Sequence, residues 1–139
     1  MRVDSLRLRG FRNYADSAAE FAEGINVISG PNAQGKTNLL EAVYLLAGGR
    51  SFRTRFDKVL ISFDRDAAEV SADVFAAERA QHIDILLQRG RKKLISVNKV
   101  KKSPSELSEC INAVLFCPDD LNLIREGAAA RRKLMDLAI

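Results

Sequence analysis

Gly30-Pro31-Asn32-Ala33-Gln34-Gly35-Lys36-Thr37 is a complete G-x-x-x-x-G-K-[ST] loop, and its flanks decide the fold class. Upstream, Gly24-Ile25-Asn26-Val27-Ile28-Ser29 reads as a short buried strand rich in β-branched residues. Downstream, Asn38-Leu39-Leu40-Glu41-Ala42-Val43-Tyr44-Leu45-Leu46-Ala47 has helical spacing and meets a stop signal at Gly48-Gly49. Strand, glycine-rich turn and helix in that order predict a nucleoside triphosphate site. Gly30 and Gly35 let the backbone turn its N–H groups inward on phosphates, Lys36 brings a cation to the outer phosphates, and the Thr37 hydroxyl completes the coordination of Mg²⁺. The expected binding set is therefore Gly30, Pro31, Asn32, Ala33, Gln34, Gly35, Lys36, Thr37 and Asn38.

The chain has 139 residues, enough for one domain with a sizeable core and too few for two comfortable ones. With 22 Lys and Arg against 18 Asp and Glu the net charge is only +4, so a polyanionic partner is permitted by the bulk charge and not demanded by it. Met1-Arg2-Val3-Asp4-Ser5-Leu6-Arg7 is interrupted by charge before any apolar leader can form, and no stretch is long and apolar enough to cross a membrane. Cys110, Cys117 and the single His82 are too few for a typical zinc site, which favours reduced thiols in a cytoplasmic protein.

Leu6, Leu8 and Phe11 alternate with Arg7, Arg9 and Arg12, predicting an opening strand with one apolar and one basic side; a second strand is expected around Ala18 to Phe21. Ala68 to Phe75, His82 to Gln88 and Lys92 to Val97 read as an antiparallel meander. His82 alternates with apolar residues there and is read as structural. Ser103-Pro104-Ser105-Glu106 is a capping box with proline at the first helical position, opening a helix to about Cys110. Ile111 to Phe116 reads as another buried strand, Pro118-Asp119-Asp120 as the start of a helical turn, and Ala128 to Ile139 as an amphipathic helix carrying Arg131 and Arg132. No capping signal ends that last helix, so the protein in the cell is expected to be longer.

Guanine specificity is unsupported: Asn98-Lys99-Val100-Lys101 has lysine where a base-reading carboxylate is needed, and no Asp has Gly three residues later. A small-molecule kinase has no universal acceptor motif and stays open, as does a DNA-binding module with an idle nucleotide site. Hydrolysis also needs an acidic group after a second buried strand. The candidates are Asp119 and Asp120, where Pro118 breaks strand-to-acid continuity. The alternative is that the second nucleotide motif lies beyond Ile139.

Leu6 through Tyr14, Gly24 through Val27, Gly30 through Ala42, Gly49-Arg50-Ser51-Phe52-Arg53-Thr54 and Phe116-Cys117-Pro118-Asp119-Asp120-Leu121 occur in the order seen in the RecF family of bacterial DNA replication and repair ATPases, which is related to SMC-like and ABC-type heads. The resemblance covers nearly the whole chain. It implies an α/β P-loop ATPase head, of which residues 1–139 form the first, ATP-binding lobe: a mixed sheet with the P-loop helix and an antiparallel β meander. It also implies ATP and Mg²⁺ as cofactors and a weak DNA-dependent ATPase in the longer protein, whose signature and second acidic motifs are not in this chain. An ATP-dependent homodimer on gapped single- and double-stranded DNA is implied, assisting RecA loading with RecR and RecO in recombinational repair and the SOS response to DNA damage. One departure is Ala128-Ala129-Ala130 before Arg131-Arg132, where the family commonly has proline.

By the same resemblance Arg12 and Asn13 approach the nucleotide phosphates. Asp119 and Asp120 match the segment near the metal, against the plainer reading of charges stabilising a helix start. Two basic groups are candidates for DNA phosphates: Arg50, Arg53, Arg55 and Lys58, and then Arg89, Arg91, Lys92, Lys93, Lys99, Lys101 and Lys102. The second group places seven basic residues among fourteen with no acid, although such runs are commonly solvated faces. Phe52, inside the first group, is read as a packing aromatic.

Overall fold

The computed structural model of the chain describes residues 1–117. Six strands and two helices make an α/β unit: β1 (Arg2–Phe11), β2 (Tyr14–Glu20), α1 (Lys36–Gly48), β3 (Ala67–Ala76), β4 (Arg79–Gln88), β5 (Leu94–Val97), β6 (Val100–Lys102) and α2 (Pro104–Cys110). The strand order is β2-β1-β3-β4-β5-β6, antiparallel throughout, so β1 inserts between its own hairpin partner and the meander.

Alternation along each strand separates two faces. Leu6, Leu8, Val70, Ala72, Val74, Ile83, Ile85, Leu87, Ile95 and Val97 line the buried face and pack with Ala42, Leu45 and Leu46 of α1 and Leu107 of α2. The opposite face is polar, and its charges neutralise one another: Arg7 and Arg9 with Asp16, Arg9 with Glu69, and His82 with Asp73 and Asp84. His82 therefore lies on the solvated side of the sheet. Gly49 caps α1 in the left-handed conformation, donating to the Leu45 carbonyl. The capping box at Ser103 and Glu106 forms, with Pro104 in the first turn.

Two expected strands need correction. Gly24–Ser29 forms no strand: Ile25 and Val27 are 92% and 84% exposed, and the segment joins no ladder among the described residues. A strand exists only beside a partner, which apolar periodicity cannot supply. This is also why the described sheet is antiparallel and not mixed. Ile111–Phe116 likewise forms no strand; Ile111 is buried, but Val114 and Phe116 project into solvent. Asn98-Lys99, which does not fit a base-reading motif, is the two-residue turn between β5 and β6, with φ of 51° and 67° as a tight hairpin requires. Among the described residues no helix is long and apolar enough to cross a membrane. The expectations placed on Pro118, Asp119, Asp120, Arg131, Arg132 and the helix Ala128–Ile139 lie outside the described residues.

Candidate nucleotide site

The loop before α1 turns through three left-handed or related positions, Gly30 (φ 146°), Ala33 (φ 63°) and Gly35 (φ 100°). Gly35 is restricted twice over, because a Cβ there would also lie 2.7 Å from Asn13 Nδ2. Asn13 reaches the loop by donating to the Gln34 carbonyl, and Tyr14 donates its hydroxyl to the Gly35 carbonyl. Lys36 Nζ lies over the loop, donating to the carbonyls of Gly30 and Pro31. No side chain caps the start of α1 and its first turn holds no acid. The leading N–H groups and the positive end of the helix dipole thus remain directed at the loop, the arrangement that receives anions. Thr37 stands exposed at this start.

Arg12 follows β1 in the left-handed region (φ 54°), and the fold uses all of its polar groups. Its N–H donates to Leu60 O, its carbonyl accepts from Ser62 Oγ, and its guanidinium donates to both Glu41 oxygens and to Val59 O. Glu41 is completely buried one turn along α1 from Thr37. Burial alone raises the Glu41 carboxyl, but hydrogen bonds from Arg12 and Ser51 and the charges of Arg12 and Arg53 more than offset this and hold it below its usual value. Asn38 donates to Asn13 Oδ1 and accepts from Arg53 Nη1 at 2.8 Å. A single polar network therefore joins the β1–β2 turn, the phosphate loop, α1 and the connection after it.

The sequence reading placed Arg12 and Asn13 near the loop but passed over Glu41, Ser51 and Tyr14. A signal for Glu41 was present: it shares the buried face of α1 with Ala42 and Leu45, where an acid requires partners. Phe52 packs edge-on against Tyr44, with ring centroids 5.5 Å apart.

The sequence profile of the RecF/RecN/SMC N-terminal domain matches residues 2–121. The chain belongs to that family. It is 39% identical over its whole length to the DNA replication and repair protein RecF of Acetivibrio thermocellus, covering 38% of that protein. It is 44% identical to the RecF of Pediococcus pentosaceus over 99% of this chain and 37% of the relative. A solved structure of the recombination mediator protein RecF with ATP, from the RecFOR pathway, superposes on 98% of this chain and 38% of that one, with TM-score 0.87 and 38% identity. An SMC ATPase described by its ATP-driven dimerisation matches at TM-score 0.81 and 21% identity over 98% of both chains, a likeness of fold. The chain thus spans somewhat over a third of the length of the RecF relatives it matches.

Within this RecF-like head the basic residues do not form the two groups their sequence positions suggest. Arg53, Lys58 and Arg89 line one groove of about 490 Å³ together with Arg12 and Asn38. The turn Arg89–Lys93 joins the Arg50–Lys58 connection there, held by Lys93 Nζ on Asp57 Oδ1 at 2.9 Å and by Arg89 on the carbonyls of Ser62 and Arg65. Arg50, Arg55, Arg91 and Lys92 are exposed nearby in sequence. Lys99 lies across the length of β5 from that turn, about 13 Å away at ~3.3 Å per residue, beside the His82 end of β4. Lys101 faces Ser96 across the β5–β6 pair, and Lys102 pairs with Glu106.

Proposed function

We propose that this chain is the ATP-binding first lobe of a RecF-type ATPase acting on DNA in replication and repair. The carrying observation is the uncapped start of α1 behind the Gly30–Thr37 loop, with Lys36 over the loop and Asn13 and Asn38 bracing it. The likeness to a RecF solved with ATP supports adenine nucleotide as the ligand. The triphosphate lies along the loop N–H groups, Lys36 stabilises its outer charge, and the exposed Thr37 hydroxyl offers Mg²⁺ one protein ligand beside phosphate oxygens and water. When bound, the metal neutralises phosphate charge. Arg53 at Asn38 is placed to meet the same phosphates, while Arg12 acts as a brace behind the loop.

DNA phosphates then meet the basic surface around Arg55, Lys58, Arg91 and Lys92, at the loop end of the sheet. ATP acts as the switch for a homodimer on gapped DNA, and RecR, with RecO and RecA, is its partner. Any DNA-stimulated hydrolysis belongs to the whole protein. Calorimetric titration of the full chain with Mg²⁺ and ATP tests the reading: binding is expected, and Lys36→Ala should weaken it at least about a hundredfold through loss of a desolvated charge contact. Unchanged affinity in that variant would overturn it.

A further inference from the structure

Among the described residues Glu41 is the charged side chain with no solvent exposure, and its two oxygens serve three partners. Oε1 accepts from Ser51 Oγ and from Arg12 Nη2, and Oε2 accepts from Arg12 Nε and, at 3.4 Å, from Arg53 Nη1. Ser51 Oγ accepts in turn the backbone N–H groups of Arg53 at 2.9 Å and Thr54 at 3.1 Å. One carboxylate therefore holds, through Ser51, the backbone turn that carries Arg53, and it also touches the Arg53 guanidinium. Arg12 is locked by two bonds below 3 Å to Glu41, whereas Arg53 holds Glu41 only loosely, with its short bond on Asn38 beside Thr37. Its side chain is 43% exposed, so the guanidinium stands at the start of α1 with donors still directed outward.

We propose that Glu41 is a positioning residue for the nucleotide: through Ser51 and Arg53 it aims the Arg53 guanidinium at the phosphates held by the loop. This rests on the ATP reading above and deepens it. A carboxylate acting only as a staple between β1 and α1 would affect stability without selecting Arg53 as its route to the ligand.

A double-mutant cycle separates the two roles. In the full chain, the Kd for ATP with Mg²⁺ and the thermal midpoint are measured for wild type, Ser51→Ala, Glu41→Gln and Arg53→Ala, and for Ser51→Ala and Glu41→Gln each combined with Arg53→Ala. Each single variant should weaken ATP binding about tenfold, the scale of one charge-assisted hydrogen bond. Once Arg53 is gone, Ser51→Ala and Glu41→Gln should change affinity by less than about twofold, while still lowering the midpoint. Ser51→Ala leaves no unpaired charge, so it decides the matter if Glu41→Gln does not fold. Weakening of less than threefold in Ser51→Ala, or effects that multiply with Arg53→Ala, would overturn the proposal while leaving the ATP site standing. If wild type binds no ATP, the site reading itself falls and the role of Glu41 falls with it.

Discussion

Arg12 and Glu41 are joined by two parallel hydrogen bonds, Nε to Oε2 at 2.8 Å and Nη2 to Oε1 at 2.7 Å, spanning the gap between the β1–β2 turn and α1. The fork geometry fits guanidinium and not ammonium. Arg12→Ala leaves a buried carboxylate with only Ser51 and a long contact to Arg53, and should cost about 3 kcal/mol in urea unfolding. Arg12→Lys should recover less than half of that loss. Full recovery by lysine would show that charge alone, and not the paired geometry, holds the turn to the helix.

His82 lies between two carboxylates on the solvated face, with Nδ1 2.7 Å from Asp73 and Nε2 3.1 Å from Asp84. The hydrogen bond with Asp73 and the charges of Asp84 and Asp73 raise its pKa above 6.5 against a smaller opposing effect of burial. A raised pKa contributes stability that is complete below the unfolded value and is lost as pH rises through the folded value. His82→Gln should therefore cost more at pH 6 than at pH 9. The side chain is 45% exposed, so the difference should stay below about 1 kcal/mol. An imidazole titration midpoint by NMR at or below 6.5 would contradict this.

What the sequence disclosed follows from which forces are local. The α1 boundaries, the Gly49 cap and the Ser103–Glu106 capping box were readable because each depends on residues within one or two turns. The meander was readable from its two-residue period. Gly24–Ser29 and Ile111–Phe116 misled because their apolar residues announce a buried strand without naming its partner. The insertion of β1 between β2 and β3 was hidden for a related reason, since pairing across sixty residues, as for Arg9 with Glu69, leaves no local trace. The phosphate loop was legible from its motif, while the Glu41 network was not, because Ser51, Arg12 and Asn38 converge only through the tertiary fold.

The single basic stripe from Arg89 to Lys102 is divided by β5, and its halves should behave differently. Arg91→Glu with Lys92→Glu acts at the loop end of the sheet, next to the groove lined by Lys58 and Arg53. If DNA phosphates lie there, this pair should weaken binding of gapped duplex by at least tenfold and reduce the salt slope by about 2. Lys99→Glu with Lys101→Glu, toward the other end and edge of the sheet, should weaken it less than threefold. Fluorescence anisotropy at several salt concentrations reads both effects, and the reverse ranking would move the DNA surface to the His82 end.

Ile25 and Val27 offer a test of how the loop is supported. Both side chains face solvent in the segment leading into Gly30, whereas Leu8, in β1, is 1% exposed. Replacing Ile25 and Val27 together by Ser should therefore shift the unfolding free energy of the 139-residue chain by no more than about 0.5 kcal/mol, as at exposed positions generally. Leu8→Ala should cost about 2–5 kcal/mol by opening a cavity in the core. The comparison is made by urea titration of the three proteins side by side. A loss of several kcal/mol from the Ser pair would mean that Gly24–Ser29 is packed in solution, and the phosphate loop would then be held from its upstream side as well as through Asn13 and Tyr14.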